Sequence, residues 1–344
     1  MYNARLKEAK HVVRPSTILP GNVYDDPLTI PKEHSARMQR ILSGVSAAVL
    51  TPRSENGELN LPELRRELKF LIHSGITSFA FNGATGEFCL TTPAEMNVLL
   101  SAATETIAGR AEFVVGIGAA GYQTAIQLAA IAKEAGARSV LLPMPHFFPY
   151  SQDDLNAFSR TVAASVDLPV LLYDLPQFTS GLEPATTLEL IGTCENIVGV
   201  KDSSGSLETL RLLTASGIAC SRLVGNDAVI VDALQEGICD GMISGVACAL
   251  PELIQAVFQA ASGQDGRRTV ELKTILDTVL DRLNALPVPW GLKVVSSLRK
   301  ITQSAFCQPL SADRRTQLKE LGQWFTENSE TLLASADGTQ SSIE

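Results

Sequence analysis

Short apolar segments alternate with longer amphipathic segments along most of this chain. Eight of the short segments are rich in β-branched residues and apolar on both faces, as in strands that are buried on both sides of a sheet. The predicted strands are residues 45–50, 78–82, 113–117, 139–143, 170–173, 197–201, 222–225 and 241–245. Such strands predict a parallel sheet covered by helices.

The gaps between these strands have helical periodicity, and proline opens several of them, as it often does in the first turn of a helix. The predicted helices are residues 62–74, 93–108, 123–135, 152–165, 184–192, 207–216, 227–236 and 251–261. Eight strand and helix units within about 220 residues fit a closed barrel better than an open doubly wound sheet. We therefore predict an α/β fold, a (β/α)8 TIM barrel at residues 42–265.

The barrel is predicted to have extensions at both ends. Three further helical segments predict a C-terminal helical appendage at residues 266–330, and they span residues 267–283, 290–301 and 312–328. Residues 1–41 lack sustained periodicity and contain four prolines, which predicts an N-terminal arm. Residues 331–344 are rich in Ser, Asp, Gly and Thr and predict a flexible tail.

Charge and hydropathy exclude several classes of protein. The 28 Lys and Arg residues against 37 Asp and Glu give a net charge of −9, without a basic cluster for nucleic acid. No apolar run approaches the roughly 20 residues that cross a bilayer. The N-terminus carries charge and proline where a secretory signal is apolar. We predict a cytoplasmic protein with neither a membrane nor a nucleic-acid partner.

Cysteine and histidine residues give no sign of a metal site. The six cysteines form no CxxC pair, and the four histidines have no HExxH spacing. This distribution is typical of reduced thiols in a cytosolic protein. We predict neither a metal nor an organic cofactor.

The first candidate catalytic residue is Lys201, in the sequence IVGVKDSSG at residues 197–205. Barrel enzymes place their active site at the C-terminal strand ends, where Lys201 lies. Strand alternation predicts that Lys201, Ile197 and Gly199 face the barrel axis, whereas Val198 faces the helices. A lysine amine held out of water can attack a carbonyl group and form a protonated imine. The alternative is a lysine just past the strand, in solvent.

Two further features accompany Lys201. Tyr173 ends the preceding predicted strand, so its phenol can exchange protons with groups bound to Lys201. In the turn NGATGE, at residues 82–87, two glycines flank Ala84 and Thr85, whose backbone N–H groups can converge on an anion such as a carboxylate. A tyrosine that merely caps the barrel is the alternative for Tyr173.

The motifs GATGE, YDLP and GVKDSSG, in this order and at these strand ends, resemble those of the dihydrodipicolinate synthase and N-acetylneuraminate lyase family. This family comprises class I aldolases and lyases, and the similarity runs from residue 43 to about residue 325. The resemblance implies a Schiff-base enzyme that acts on a 2-oxo acid of the pyruvate type. It also implies a homotetramer built from dimers.

The resemblance assigns roles to individual residues. Lys201 is implied to be the Schiff-base lysine and Tyr173 the proton shuttle. The substrate-binding residues that it implies are Gly83, Ala84 and Thr85 around the carboxylate, and Ile243 beside the pyruvate unit.

Three positions depart from the dihydrodipicolinate synthases that the motifs resemble. Ala84 replaces the first threonine of their GTTGE turn, Phe147 replaces a tyrosine from a neighbouring subunit, and Phe178 replaces an arginine that binds the second substrate's carboxylate. Loss of a bidentate carboxylate partner disfavours an anionic second substrate. We therefore predict reversible C–C cleavage, or dehydration, of a 2-oxo-3-deoxy sugar acid, with Phe147 and Phe178 binding substrate.

Three alternatives remain open from the sequence. The first is dihydrodipicolinate synthesis from pyruvate and aspartate semialdehyde, and the second is a non-catalytic 2-oxo acid sensor. The third is an oxidoreductase that binds a dinucleotide, because residues 116–121 form a GxGxxG sequence between a strand and a helix. That fold requires an acidic residue at the end of the next strand, where this chain has Leu141-Leu142-Pro143-Met144. A glycine-rich loop over the barrel mouth is the better explanation.

Overall fold

Eight parallel strands pair in chain order and close into a barrel in the computed structural model, which describes residues 41–336. The strands are β1 Gly44–Ala48, β2 Ser78–Phe81, β3 Glu112–Gly116, β4 Ser139–Pro143, β5 Val170–Asp174, β6 Ile197–Asp202, β7 Ser221–Val224 and β8 Gly241–Ser244. The barrel closes where Gly44 of β1 lies opposite Gly241 of β8. The predicted (β/α)8 fold is confirmed.

A helix follows each strand. These helices are α1 Leu61–His73, α2 Pro93–Ile107, α3 Tyr122–Glu134, α4 Gln152–Ala163, α5 Pro184–Thr193, α6 Glu208–Ser216, α7 Ile230–Gln235 and α8 Pro251–Ser262. Three short 3-10 helices precede α2, α7 and α8, at Phe88–Leu90, Asp227–Val229 and Val246–Cys248. The predicted helix at residues 227–236 is therefore a 3-10 turn followed by a short α-helix.

Local sequence explains where several helices begin. Thr92 caps α2, since its side chain accepts a hydrogen bond from the backbone N–H of Glu95 and the Glu95 side chain accepts one from the Thr92 backbone. Ser151 and Asp154 form the same capping box at the start of α4. These reciprocal bonds satisfy N–H groups that have no partner within the helix.

Strand side chains divide between two apolar layers. Inside the barrel, the strands contribute Ala48, Ala80, Val114, Leu141, Leu171, Tyr173, Val198, Leu223 and Ile243 to one buried cluster. Their neighbours along each strand join a larger cluster between the strands and the helices. The alternation of period two thus decides which side chains can reach the barrel axis.

The alternation is interrupted in β6, and the orientations predicted for three of its residues, Ile197, Val198 and Gly199, were wrong. Val198 packs inside the barrel and Ile197 packs outside it. Val170 pairs with Ile197 but the next residue, Leu171, pairs with Gly199, so β6 contains one extra residue at this point. Such a bulge shifts the alternation by one residue.

Beyond the bulge, Val200 packs outside the barrel, and Lys201 pairs in register with Tyr173 on the inner face. Gly199 approaches the next strand rather than the axis, because a Cβ on it would lie 2.1 Å from the carbonyl oxygen of Ser221. The inward orientation predicted for Lys201 is therefore right, although the strand does not alternate as predicted.

Three C-terminal helices follow the barrel: α9 Gly266–Asn284, α10 Trp290–Leu298 and α11 Ala312–Ala336. Both α9 and α11 pack on α8. The predicted start of the tail at residue 331 differs from the structure, since α11 continues to Ala336 and Leu332 is buried. The segment is polar in composition, but it is helical because α11 buries Phe325 and Leu332 against the core.

The predicted N-terminal arm, apart from Ile41, and residues 337–344 lie outside the described residues. Within residues 41–336, no helix has the length and apolar character required to cross a bilayer. The cytoplasmic location stays a prediction.

We expect Gly199→Ala to lower the free energy of unfolding by about 2 to 4 kcal/mol, because the added methyl group overlaps the β7 backbone. Chemical denaturation measures this change. Gly266→Ala is the matched control, since a Cβ at Gly266 meets open space and should leave the unfolding midpoint nearly unchanged. An unfolding midpoint for Gly199→Ala equal to that of the wild type would contradict the bulge.

Candidate active site

A cavity of about 230 Å³ opens at the C-terminal ends of the strands. The predicted site residues that line it are Ala84, Thr85, Tyr173, Phe178, Lys201 and Ile243. Six residues from four separate segments of the sequence thus meet at the end of the barrel where this fold builds its active sites.

Lys201 and Tyr173 are neighbours on adjacent strands, as predicted. They pair in register on β6 and β5 and are only 3% and 2% exposed. The Lys201 Nζ lies 4.0 Å from the centroid of the Tyr173 ring, over its face. A cation in this position is attracted by the ring, which partly offsets the loss of hydration. The alternative in which Lys201 lies in solvent does not hold.

Glycine at position 225, just after β7, leaves room for the lysine. A Cβ on Gly225 would lie 2.7 Å from Lys201 Cε and 2.1 Å from Ser203 Oγ. The Ser203 hydroxyl lines the same cavity, is buried, and has no hydrogen-bond partner among the described residues. A free buried hydroxyl is costly, so Ser203 is placed to bind a polar group of a ligand.

Asp227 is a cavity residue that the sequence analysis missed. It is 8% exposed, and its carboxylate accepts a short hydrogen bond from the Ser244 hydroxyl. Burial raises the pKa of the Asp227 carboxyl to about 6, although the Ser244 bond and the positive charge of Lys201 oppose this rise. The signal in the sequence was an acid two residues after the predicted strand at residues 222–225.

The turn after β2 is shaped by backbone contacts. Asn82 and Glu87 both have φ of 53°, and the Asn82 side chain donates a hydrogen bond of 2.8 Å to the carbonyl of Gly116. Glu87 N–H donates to the carbonyl of Ala84 at 3.0 Å. Gly83 does not line the cavity, but its carbonyl accepts a hydrogen bond from Phe88 N–H. Gly83 therefore contributes to the shape of the turn without lining the cavity.

The glycines of the GxGxxG sequence have a packing role. A Cβ on Gly116 would lie 2.1 Å from the carbonyl oxygen of Asn82, and one on Gly118 would lie 2.5 Å from the ring of Phe88. Both glycines let the loop after β3 approach the turn after β2 closely. This packing accounts for the first two glycines without a dinucleotide.

Phe147, like Gly83, is a predicted site residue that does not line the cavity of its own chain. Its side chain is 85% exposed, its φ is 90°, and its ring packs edge-on against Phe148 with centroids 4.8 Å apart. Phe147 has a left-handed φ, and its exposed side chain does not line the cavity. Binding of substrate by Phe147 within one chain is therefore not supported.

One wall of the cavity comes from the C-terminal helices. The lining residues from α9, α10 and the loop between them include Leu280, Asn284, Val288 and Leu292. The sequence predicted these helices beside the barrel but gave no indication that they reach the cavity. Helical periodicity identifies an apolar face without revealing which element covers it.

Two buried carboxyl groups directly follow Tyr173 and Lys201 in their strands. They belong to Asp174 and Asp202, which pair with each other in register. Burial raises the pKa of Asp174 to about 6, and the nearby Asp202 charge adds to the rise. Asp174 accepts a hydrogen bond from Leu182 N–H at 3.0 Å, which fixes the loop after β5.

A sequence model of the dihydrodipicolinate synthetase family matches residues 41–326. The chain belongs to this family. It is 31% identical over 299 residues to the 4-hydroxy-tetrahydrodipicolinate synthase of Polynucleobacter asymbioticus, covering 84% of this chain and 96% of that one. It is 34% identical over 274 residues to 4-hydroxy-tetrahydrodipicolinate synthase 1 of Streptomyces coelicolor, covering 78% and 88%.

Solved structures agree. The dihydrodipicolinate synthase of Aquifex aeolicus superposes with a TM-score of 0.78 at 26% identity, covering 84% of this chain and 98% of that one. The N-acetylneuraminate lyase of Mycoplasma synoviae superposes with a TM-score of 0.74 at 20% identity, covering 83% and 97%, which shows the fold alone. The family resemblance is confirmed, and the chain is an enzyme of the lyase class, so the sensor alternative is not supported.

We expect Asp174→Asn to stabilise the protein at pH 8 by about 1 to 3 kcal/mol. The raised pKa means that the folded state keeps the Asp174 proton to higher pH than the unfolded state does. This contribution is full below about pH 4 and is lost as the pH rises through about 6. Asparagine remains neutral throughout and can still accept the Leu182 bond.

Denaturation at several pH values measures this effect, and Asp167→Asn is the control. The exposed Asp167 has a pKa lowered by Lys133, so its removal should not stabilise the protein at pH 8. Equal pH dependence of unfolding for the wild type and Asp174→Asn would show that Asp174 is not desolvated as described.

Proposed function

We propose that this enzyme forms a Schiff base between Lys201 and a 2-oxo acid of the pyruvate type, as a class I lyase. The observation that carries this proposal is the buried Lys201 amine. Lys201 lines the cavity, and its Nζ lies 4.0 Å from the centroid of the Tyr173 ring. A lysine that is held out of water, with a proton-transfer group beside it, is arranged for nucleophilic attack on a carbonyl.

The proposed reaction begins when the neutral Lys201 amine adds to C2 of the 2-oxo acid. The electrons of the carbonyl bond move to oxygen, and one proton passes from the nitrogen to that oxygen to give a neutral carbinolamine. A second proton, taken from solvent, lets the oxygen leave as water while the nitrogen lone pair forms the C=N bond, so the imine keeps one N–H and is cationic. In this proposal the phenol of Tyr173, whose ring centroid lies 4.0 Å from Lys201 Nζ, carries the first proton from nitrogen to oxygen and delivers the second.

The protonated imine then acts as an electron sink. Loss of a proton from C3 forms a C2–C3 double bond and returns the C=N electrons to nitrogen. This enamine adds through C3 to an aldehyde carbon, whose oxygen takes a proton, and hydrolysis of the new imine releases the product and Lys201. Run backwards, the same steps cleave a C–C bond, and expulsion of a C4 hydroxyl from the enamine as water gives dehydration.

Other lining residues have complementary roles in this proposal. The turn at Ala84 and Thr85 offers backbone N–H groups and one hydroxyl to the carboxylate of the 2-oxo acid. Asp227 lies close enough to Lys201 for the lysine charge to lower its pKa, so its carboxylate can stabilise the iminium cation. Ile243 supplies an apolar surface beside the reacting carbons.

The names of the relatives favour aspartate semialdehyde as the second substrate. The curated relatives from Polynucleobacter asymbioticus and Streptomyces coelicolor are both named as 4-hydroxy-tetrahydrodipicolinate synthases. This support makes condensation of pyruvate with aspartate semialdehyde the first candidate. The relatives thus support dihydrodipicolinate synthesis, predicted as an alternative, more than they support the sugar-acid reaction.

Sugar-acid cleavage or dehydration is kept as a second candidate because of the cavity lining. Among the described residues, Lys201 is the only cationic residue that lines the cavity, and Phe178 is half exposed at its edge. Asp227 adds negative charge, which disfavours a second carboxylate. The unpartnered Ser203 hydroxyl suits a hydroxyl-bearing substrate.

A homotetramer remains part of the proposal. Phe147 and Phe148 are 85% and 61% exposed and pack on each other, which is unusual for large apolar side chains that face water. Burial of this pair against another copy of the chain would remove that exposure.

Sodium borohydride in the presence of pyruvate should add one reduced pyruvyl group to the wild-type protein, and peptide mapping should place it on Lys201. Lys201→Arg should lose the adduct, because a guanidinium does not form this imine. Lys133→Arg changes an exposed lysine that pairs with Asp167 and should be trapped like the wild type. Trapping of Lys201→Arg to the wild-type extent would overturn the assignment.

We expect the wild type to bind aspartate semialdehyde weakly and Phe178→Arg to lower its KM by about tenfold or more, through a charge-assisted bond to the carboxylate. Steady-state kinetics with pyruvate and aspartate semialdehyde measures this. Phe178→Leu removes the ring without adding charge and should not lower the KM. Pyruvate release from a 2-oxo-3-deoxy acid, without any condensation of aspartate semialdehyde, would replace the first candidate with the second.

A further inference from the structure

An ion pair is buried directly behind the carboxylate-binding turn. Glu87 Oε2 lies 2.7 Å from Lys293 Nζ, and the two side chains are only 10% and 1% exposed. Neither residue lines the cavity. The roles proposed above for cavity residues therefore leave this ion pair unexplained.

Glu87 is joined to the turn through its backbone. Its N–H donates to the carbonyl of Ala84, and its φ of 53° and ψ of 48° place it in the left-handed region. Glutamate pays a conformational penalty in this region, which surrounding contacts must overcome. The ion pair between the Glu87 side chain and Lys293 is one such contact. The Glu87 backbone is hydrogen-bonded to Ala84, which lines the cavity.

Lys293 is joined to the opposite wall. It lies on α10 directly after Gly291 and Leu292, which both line the cavity. Its ammonium also donates a hydrogen bond of 2.8 Å to the carbonyl of Ala305, in the loop before α11. The ion pair therefore connects the turn after β2 with the C-terminal helices.

The two walls meet near Gly245. A Cβ on Gly245 would lie 3.1 Å from Thr85 Oγ1 and 3.6 Å from a methyl carbon of Leu292. A small movement of α10 relative to the turn would therefore change the space around Thr85. This space is where the proposed function places the carboxylate of the 2-oxo acid.

A buried ion pair is weak support for stability alone, because the loss of hydration can exceed the attraction between the charges. We propose that Glu87 and Lys293 are positioning residues, which set the distance between the carboxylate-binding turn and α10 and so set the affinity for the 2-oxo acid. This inference rests on the proposed Schiff-base function and adds that the C-terminal helices take part in binding.

The test uses the intact protein and the pyruvate concentration that gives half-maximal borohydride trapping at Lys201. Glu87→Gln leaves the Lys293 charge buried without a counter-charge, and it should lower the melting temperature and raise the half-saturating pyruvate concentration about tenfold. The double variant Glu87→Gln with Lys293→Met removes both charges. We expect it to regain much of the melting temperature while the half-saturating concentration stays raised.

Glu252→Gln is the matched control. Glu252 on α8 binds Arg299, which follows the last residue of α10, in an ion pair of 2.8 Å. Its loss should lower the melting temperature without changing the half-saturating pyruvate concentration, because this pair does not touch the turn.

The outcomes separate the positioning role from the proposed function. A double variant that regains both the melting temperature and the wild-type half-saturation would show that the pair serves stability alone, which overturns the positioning role. If Glu87→Gln does not fold, the double variant alone decides. Absence of a pyruvate adduct in the wild type would instead refute the proposed function, independently of Glu87 and Lys293.

Discussion

The structure of the site depends on keeping one primary amine out of water at the mouth of a closed barrel. Lys201 can occupy this place because the face of Tyr173 lies against its Nζ and the missing side chain at Gly225 leaves it space. The nearby Asp227 carboxyl supplies an opposite charge, and its own pKa is raised by the same desolvation. Each neighbour of Lys201 thus reduces the cost of desolvation or makes room for the side chain.

Short segments that are apolar on both faces were sufficient to predict the barrel, because each strand lies between the axis and the helices and its side chains alternate between the two. The same alternation placed Tyr173 correctly. It placed Lys201 correctly only because the alternation resumes after the bulge. Ile197 and Val198 lie on the faces opposite to those predicted. A bulge depends on how two strands pair, and pairing is not contained in the pattern of one strand.

Contacts between distant segments explain what the sequence did not predict. The lining contributed by α9 and α10 depends on where the appendage docks, and Asp227 is notable only once it is seen to line the same cavity as Lys201. Phe147 was assigned by resemblance to a residue of a neighbouring subunit, and a single chain leaves it facing outward. Motif matching brought residues to the cavity where they lie at the strand ends of one chain, and it did not do so for Phe147, whose assignment depends on assembly.

The wall formed by α9 and α10 has a consequence for how the enzyme can diversify. These helices are not strands of the barrel, so substitutions at Asn284 or Val288 alter the shape of the mouth without disturbing the packing around the amine. One wall of the cavity and the strand ends that hold Lys201 and Tyr173 are therefore separate parts of the chain. A lineage could reshape this wall by changing the appendage while retaining the buried lysine and its aromatic neighbour.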